Sequence, residues 1–303
     1  MHMSDNVLFS GVFPALVTPL TDEEKIHGDS ARRLMNWLMD RGMDGFYICG
    51  ATGEGPVVAP GERMRLAEIA REETARRGAK CIVHVGAVDL STAKMLARHA
   101  GEIGVDAISS VPPFFFGYGE KEIAQYYTAL AEAAERPLIM YCSPLSGVQI
   151  TYDMVSRFLD IPHAIGVKWT SYDYYTMHRI RQLRGGDVNV LNGPDECLLC
   201  GLVMGADGGI GATYNVMPKV FRHIYDRFRA GDLAGAQAAQ FKANRLIEVI
   251  IRFGVQASLK EMLGMIGFDC GYCVYPQKRL TDDERQGLRR ALDAIHFEGD
   301  YLL

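Results

Sequence analysis

The sequence predicts an α/β fold, a (β/α)8 barrel with a C-terminal helical extension, and three observations lead there. Short apolar, β-rich runs alternate with amphipathic helical segments up to about residue 229, which is the pattern of βα units around a parallel sheet. Eight such runs can be counted, the number that closes a barrel. Beyond residue 229 the strand pattern stops and only helical spacing remains. Residues 1–229 are therefore expected to form the barrel. Residues 230–303 are expected to form a helical region packed on it, since no Pro-, Gly- and Ser-rich linker intervenes.

The strands are expected at Gly11 to Thr18, Gly45 to Cys49, Cys81 to Gly86, Asp106 to Val111, Leu138 to Cys142, Ile165 to Trp169, Val188 to Asn192 and Asp207 to Ala212. Between them, Leu34, Trp37 and Leu38 in the first connection and Ala93, Leu96, Ala100 and Ile103 in the third show the spacing of a helix with one buried face. Past the barrel, Leu246, Val249, Ile250 and Phe253, then Leu259, Met262, Leu263 and Ile266, read as consecutive helices, with a last one near Asp282 to Ala294. The competing architecture is an open doubly wound sheet, usually marked by Gly-x-Gly-x-x-Gly after an early strand. The run Gly50-Ala51-Thr52-Gly53-Glu54-Gly55-Pro56 lacks that spacing.

Composition excludes several function classes. Of 303 residues, 48% are hydrophobic and 23% charged, enough apolar surface for a sizeable core. With 32 Lys and Arg against 37 Asp and Glu, and no long basic cluster, nucleic acid is not an expected partner. The longest apolar runs, such as Pro137 to Cys142, fall far short of the ~18 to 20 residues of a membrane helix. Met1-His2-Met3-Ser4-Asp5 has neither the basic nor the apolar segment of a secretory signal, and Met1-His2 reads as an expression remnant. A cytoplasmic setting is expected. The seven cysteines, several within apolar stretches, read as reduced core residues.

In a barrel of this kind chemistry sits where the strands end. Strand six, Ala164-Ile165-Gly166-Val167-Lys168-Trp169-Thr170, carries one lysine among apolar residues. Burial favours its neutral amine, a nucleophile toward carbonyls; the plainer reading is a packed stem with its ammonium reaching water. Strand five ends Ile139-Met140-Tyr141-Cys142, bringing to the same rim a phenol that can move protons or simply pack. The loop holding Thr52 offers successive backbone N–H groups suited to a carboxylate. Asp195 and Glu196 follow Asn192-Gly193-Pro194 and serve either a ligand or a helix N-terminus.

The pairs Cys197/Cys200 and Cys270/Cys273 lie much further apart than the ~15 to 20 residues of a paired zinc site and read as core. His84, within Cys81-Ile82-Val83-His84-Val85, reads as a satisfied core residue. No metal and no cofactor are expected.

Taken in order, Gly50-Ala51-Thr52-Gly53-Glu54-Gly55, Tyr141, Gly166-Val167-Lys168, Gly193-Pro194-Asp195-Glu196 and Gly205 through Asn215 resemble the pyruvate-dependent Schiff-base aldolases. These include N-acetylneuraminate lyase and dihydrodipicolinate synthase, and the resemblance covers nearly the whole chain. It implies a TIM barrel in which Lys168 forms an imine with a 2-keto acid. It further implies that Tyr141 relays protons and that Thr52 and the backbone around Ala51 hold the carboxylate.

Trp169-Thr170-Ser171, Leu145-Ser146-Gly147-Val148 and Gly211-Ala212-Thr213-Tyr214-Asn215 are similar to the sialic acid lyase branch, whose sugar-binding positions match Thr170, Gly193, Asp195, Glu196 and Ala212. The synthase branch carries an arginine soon after the strand-five tyrosine, and Cys142 to Ile150 contain none. Ala51 and Ala212 stand where relatives have hydroxyl residues, and Phe115 stands where a neighbouring subunit's tyrosine often completes the relay. Another 2-keto-3-deoxy sugar acid aldolase, the synthase, and a non-catalytic binding relative therefore stay open. The resemblance, with four aromatics in Pro112 to Tyr118, also implies a homotetramer.

Overall fold

The computed structural model describes residues 8–302, so the reading of Met1 to Asp5 lies outside the described residues. Eight strands form one parallel sheet: β1 (Gly11–Pro14), β2 (Gly45–Ile48), β3 (Lys80–His84), β4 (Ala107–Ser110), β5 (Leu138–Cys142), β6 (Ala164–Trp169), β7 (Asn189–Asn192) and β8 (Gly208–Gly211). Helices α1 (Gly28–Met39), α2 (Pro60–Arg77), α3 (Leu90–Glu102), α4 (Glu120–Ala134), α5 (Tyr152–Phe158), α6 (Tyr174–Arg181), α7 (Leu198–Val203) and α8 (Pro218–Arg229) follow the strands in turn. The extension adds α9 (Leu233–Phe253), α10 (Val255–Met265), α11 (Asp282–Ala294) and α12 (Phe297–Tyr301).

The hydrogen-bonded order runs β1-β8-β7-β6-β5-β4-β3-β2. A bridge between Ala15 and Tyr47, with the Leu16 amide donating to the Tyr47 carbonyl at 2.9 Å, brings the first and last strands together and closes the barrel.

Alternation along each strand produces two cores. Phe13, Tyr47, Ile82, Ala107, Ile139, Tyr141, Leu191 and Ile210 fill the interior. Their neighbours Val12, Phe46, Cys81, Ile108, Met140, Val167 and Val190 pack outward against the helices. Each large apolar side chain so buried contributes about 1.5–3 kcal/mol. The outer core continues without a break into the extension, where Leu246, Ile250, Leu259 and Leu263 join the cluster that holds Phe221 and Ile224.

All eight expected strands are present, the fifth with the expected bounds and the others with shifted ends. β1 stops at Pro14 instead of Thr18 because side chains and other loops take over its bonding, the Val17 amide going to Asn215 Oδ1 at 3.2 Å and the Leu20 amide to the Cys270 carbonyl at 3.2 Å. β8 is shorter at both ends, where Asp207 bonds the Val190 amide and the Ala212 amide turns to Asp195. Capping sharpens the outer helices. Asp89 accepts from the Thr92 amide at the start of α3, and Thr281 with Glu284 forms a reciprocal capping box on α11.

The core reading of the cysteines needs one correction. Cys270 and Cys273 are buried, but Cys200 is exposed and Cys197 is half-buried, because the turn before α7 rolls that face outward.

Candidate active site

The position of Lys168 depends on an irregularity in β6. Leu138 pairs with Ala164 but Ile139 pairs with Gly166, so Ile165 is an extra residue in the ladder. Ile165 packs against the interior cluster. Strict alternation from it would turn Val167 and Trp169 inward and Lys168 outward. The bulge shifts the phase by one, and Lys168 comes to lie beside its partner Tyr141 on the interior face. Glycine is required at 166, since a Cβ there would fall 1.8 Å from the Asn189 carbonyl oxygen.

The Lys168 amine, in a residue only 5% exposed, lies 4.1 Å from the Tyr141 ring centre and 4.2 Å from that of Tyr47. Burial lowers its pKa, while Tyr141 and the Asp195 carboxylate pull the other way. The groups packed around the two rings are held neutral. The Tyr47 phenol donates to Ser109 Oγ at 3.0 Å, and Ser109 donates to the Ile139 carbonyl at 2.7 Å. Burial pushes Tyr47 far up. His84 stands edge-on to Tyr141 and accepts the Val111 amide at 3.3 Å on Nε2; burial, with the Arg63 and Lys168 cations, keeps its imidazole neutral. His84 is thus the core residue expected, although its Nδ1 finds no partner among the described residues.

The loop after β2 supplies the second element. Cys49 and Glu54 both adopt left-handed backbone conformations, folding the loop so that Thr18 Oγ1 can donate to the Gly53 carbonyl at 2.6 Å. Among the described residues the Ala51 and Thr52 amides have no hydrogen-bond partner, and both residues face the cavity. Such free amides suit a carboxylate. Glu54 anchors the loop from beneath. Its carboxylate meets Lys260 of α10 at 2.8 Å in a buried ion pair and accepts the Val274 amide at 2.7 Å, while Lys260 also donates to the Tyr272 carbonyl at 2.7 Å.

The ends of β6, β7 and β8 form the opposite wall. Thr170 Oγ1 is buried without a partner among the described residues. A Cβ on Gly193 would fall 2.0 Å from it, so only glycine leaves that hydroxyl its place. Asp195 is occupied with the backbone, accepting the Ala212 amide at 3.2 Å, the Thr213 amide at 2.7 Å and Thr213 Oγ1 at 2.6 Å. Burial pushes its carboxyl up to about 6 against the pull of the Thr213 bonds. Glu196 stands half-buried beside it and accepts the Tyr172 phenol.

One cavity of about 1110 Å³ brings together Ala51, Thr52, Tyr141, Lys168, Thr170, Gly193, Asp195, Glu196 and Ala212. Several of its residues were not expected from sequence. Ile247, Ile250 and Ile251 of α9, with Val255 and Gln256 of α10, line it, although the helical spacing of the isoleucines reads only as core. Arg179 of α6 lines the outer wall, stacked 3.8 Å from the Tyr152 ring centre, so the cavity does hold an arginine, supplied from outside the segment Cys142 to Ile150. Lys260 had no clear signal, since Glu261 beside it makes the pair read as the solvated face of a helix. Phe115 lies outside the cavity lining, 82% exposed with a positive φ of 86°. No group of three or more His, Cys, Asp or Glu among the described residues is disposed to hold a metal ion.

A buried lysine beside a tyrosine at the strand ends of a (β/α)8 barrel, facing a bed of free amides, is the site of an enzyme class that works on 2-keto acids through an amine. The chain belongs to the dihydrodipicolinate synthetase family, whose model matches residues 8–295. It is 39% identical over 255 residues to the N-acetylneuraminate lyase of Citrobacter koseri, covering 84% of this chain and 85% of that protein, and 38% identical to that of Salmonella typhimurium over the same span. Among solved structures, CdNal from Clostridium difficile in complex with mannosamine is similar with TM-score 0.90 and 31% identity, covering 95% of this chain and 99% of that one. The Ruminococcus gnavus sialic acid aldolase is similar with TM-score 0.90 and 28% identity, covering 97% and 99%. No helix among the described residues is long and apolar enough to cross a membrane.

Proposed function

We propose that the protein is a Schiff-base lyase that reversibly cleaves a 2-keto-3-deoxy sugar acid of the N-acetylneuraminate type into pyruvate and an aldehyde sugar. The observation that carries this is the Lys168 amine, buried 4.1 Å from the Tyr141 ring, its pKa lowered, within a cavity whose far wall is polar. The relatives named as N-acetylneuraminate lyases support the substrate class.

Lys168 Nζ adds to the C2 carbonyl and water leaves, giving a protonated imine. A base takes the proton of the C4 hydroxyl, C4 becomes a carbonyl as the C3–C4 bond breaks, and the bonding pair enters an enamine neutralised by the iminium nitrogen. The aldehyde departs, C3 is protonated, and water hydrolyses the imine to free pyruvate and the lysine. Tyr141 is the group beside the amine that moves the proton. The Ala51 and Thr52 amides hold the keto-acid carboxylate, and Thr170, Gly193, Asp195, Glu196 and Ala212 border the sugar.

The proposal extends to a homotetramer in the cytoplasm. In support, Phe115 and Phe116 form an exposed aromatic pair with ring centres 5.0 Å apart, and all seven cysteines are free thiols.

The test is pyruvate release across N-acetylneuraminate, several other 2-keto-3-deoxy acids and, in the synthetic direction, aspartate semialdehyde. Borohydride reduction in the presence of pyruvate should leave one pyruvate-derived adduct on Lys168. An adduct on another lysine, or none, overturns the mechanism. Condensation with the semialdehyde but no cleavage of sugar acids overturns the substrate class.

A further inference from the structure

Glu196 is not free at the mouth of the cavity. The loop between β6 and α6 sets Tyr172 over it, and the Tyr172 phenol donates to Glu196 Oε1. Both residues line the cavity, and Tyr172 is 67% exposed, so no packing demand in this chain puts the ring there.

The two supports are built separately. On one side the Trp169 indole donates to the Asp173 carbonyl at 3.1 Å, the Asp173 amide to Ser171 Oγ at 3.1 Å and the Tyr174 amide to the Tyr172 carbonyl at 3.0 Å. On the other, Asn244 of α9 donates to the Glu196 carbonyl at 3.1 Å, and Gln240 donates to the Asp195 carbonyl at 3.1 Å. The Tyr172–Glu196 bond thus joins the loops after β6 and β7 on one wall of the cavity, between two fixed backbones. Glu196 Oε2 has no hydrogen-bond partner among the described residues.

We infer that Tyr172 is a positioning residue for polyol recognition: it takes one oxygen of Glu196, fixes the carboxylate plane, and leaves Oε2 to accept a hydroxyl from the tail of a 2-keto-3-deoxy acid. The inference rests on the aldolase reading above and names the residue that orients its sugar end. Glu196 in turn raises the Tyr172 pKa to about 12, so the phenol remains a donor throughout the working pH range.

The experiment compares the parent protein with Tyr172→Phe on two substrates, a 2-keto-3-deoxy acid with a polyol tail and a 4-hydroxy-2-oxo acid with no hydroxyl beyond C4. An exposed ring losing one oxygen leaves the fold intact, which a melting curve confirms. On the tailed substrate KM should rise about three- to tenfold, the net effect of one ordinary hydrogen bond, since Glu196 stays in place and loses only its fixed orientation, with kcat within about twofold. On the tail-less acid KM should move less than about twofold. An unchanged or lower KM on the tailed substrate, or an equal rise on both, overturns the inference. If the parent still gives the Lys168–pyruvate adduct under borohydride, the aldolase reading survives that result. Absence of the adduct overturns both.

Discussion

At the inner end of the cavity the reacting side chains come from strands and point into the barrel, whereas at the mouth they come from loops and from helices beyond the barrel. Lys168, Tyr141, Tyr47 and His84 sit in β6, β5, β2 and β3, and all four are buried. Thr170, Tyr172, Asp195, Glu196, Ile251 and Gln256 belong to connections and to α9 and α10, and among them are exposed and charged groups. The inner end tunes reactivity by withholding water from an amine. The mouth can be altered residue by residue without disturbing the sheet, which is why chemistry and substrate choice can vary separately in one molecule.

Four experiments press on that division. The largest effect is expected from Tyr141→Phe, which should keep pyruvate imine formation at Lys168 while slowing carbon–carbon cleavage by about 10² to 10⁴. Single-turnover measurements separate the two steps, and equal losses in both would mean that the phenol serves binding instead.

Lys260→Met tests whether the inner end is held from outside. It leaves Glu54 charged and buried, so stability should fall by about 3–5 kcal/mol in urea unfolding, with Lys260→Arg recovering part of the loss. A loss under about 1 kcal/mol would show that the Thr52 loop keeps its shape unaided.

The pH dependence of pyruvate trapping measures how dry the amine is. A lowered lysine pKa means that the neutral nucleophile accumulates sooner as pH rises. Trapping should therefore climb about tenfold per unit and level off below the ordinary value of 10.5. The same shift sets a stability sign: the folded chain binds fewer protons than the unfolded chain between the two values, so stability contributed by Lys168 falls as pH drops through that window. A climb continuing to 10.5 would place the amine in an environment like water.

The smallest effect is expected from Ala51→Ser, at the boundary of the two ends. A hydroxyl restored beside the free amides should raise kcat about two- to tenfold with little change in KM, if it acts mainly in the transition state. A fall in kcat on the best substrate would mean that the alanine makes room for the substrate.

The same division decides what could be read from the sequence. Strand alternation and the βα rhythm mark all eight strands, and a lysine in an apolar run or a tyrosine closing one is visible because chemistry at the inner end follows strand position. Tyr172, Arg179 and Gln256 left no such mark. Their place at the mouth depends on how loops and α9 to α10 meet, and Ile247 and Ile251 have the helical spacing of any core residue. Cys200 misled for a similar reason, since an apolar i, i+3 pair does not say which way a short helix after a turn will face. Inward placement of Lys168 was not legible either, because plain alternation from Ile165 gives the opposite answer.

That extra residue makes the active site a matter of odd and even. Between Gly166 and Trp169 two sets of side chains compete for the barrel interior, and the number of residues counted from the bulge determines which set faces it. Deleting Val167, on the far side of the bulge, would exchange them in a single step, sending the lysine into the layer of Met140 and turning the Trp169 indole into the barrel interior, whereas deleting Ile165 itself would leave Lys168 opposite Tyr141. Lengthening or shortening the surface loop before β6 has no such consequence, since the count begins only at the bulge. The chain ahead of it can therefore change in length without turning Lys168 outward, while the number of residues between the bulge and Lys168 cannot change.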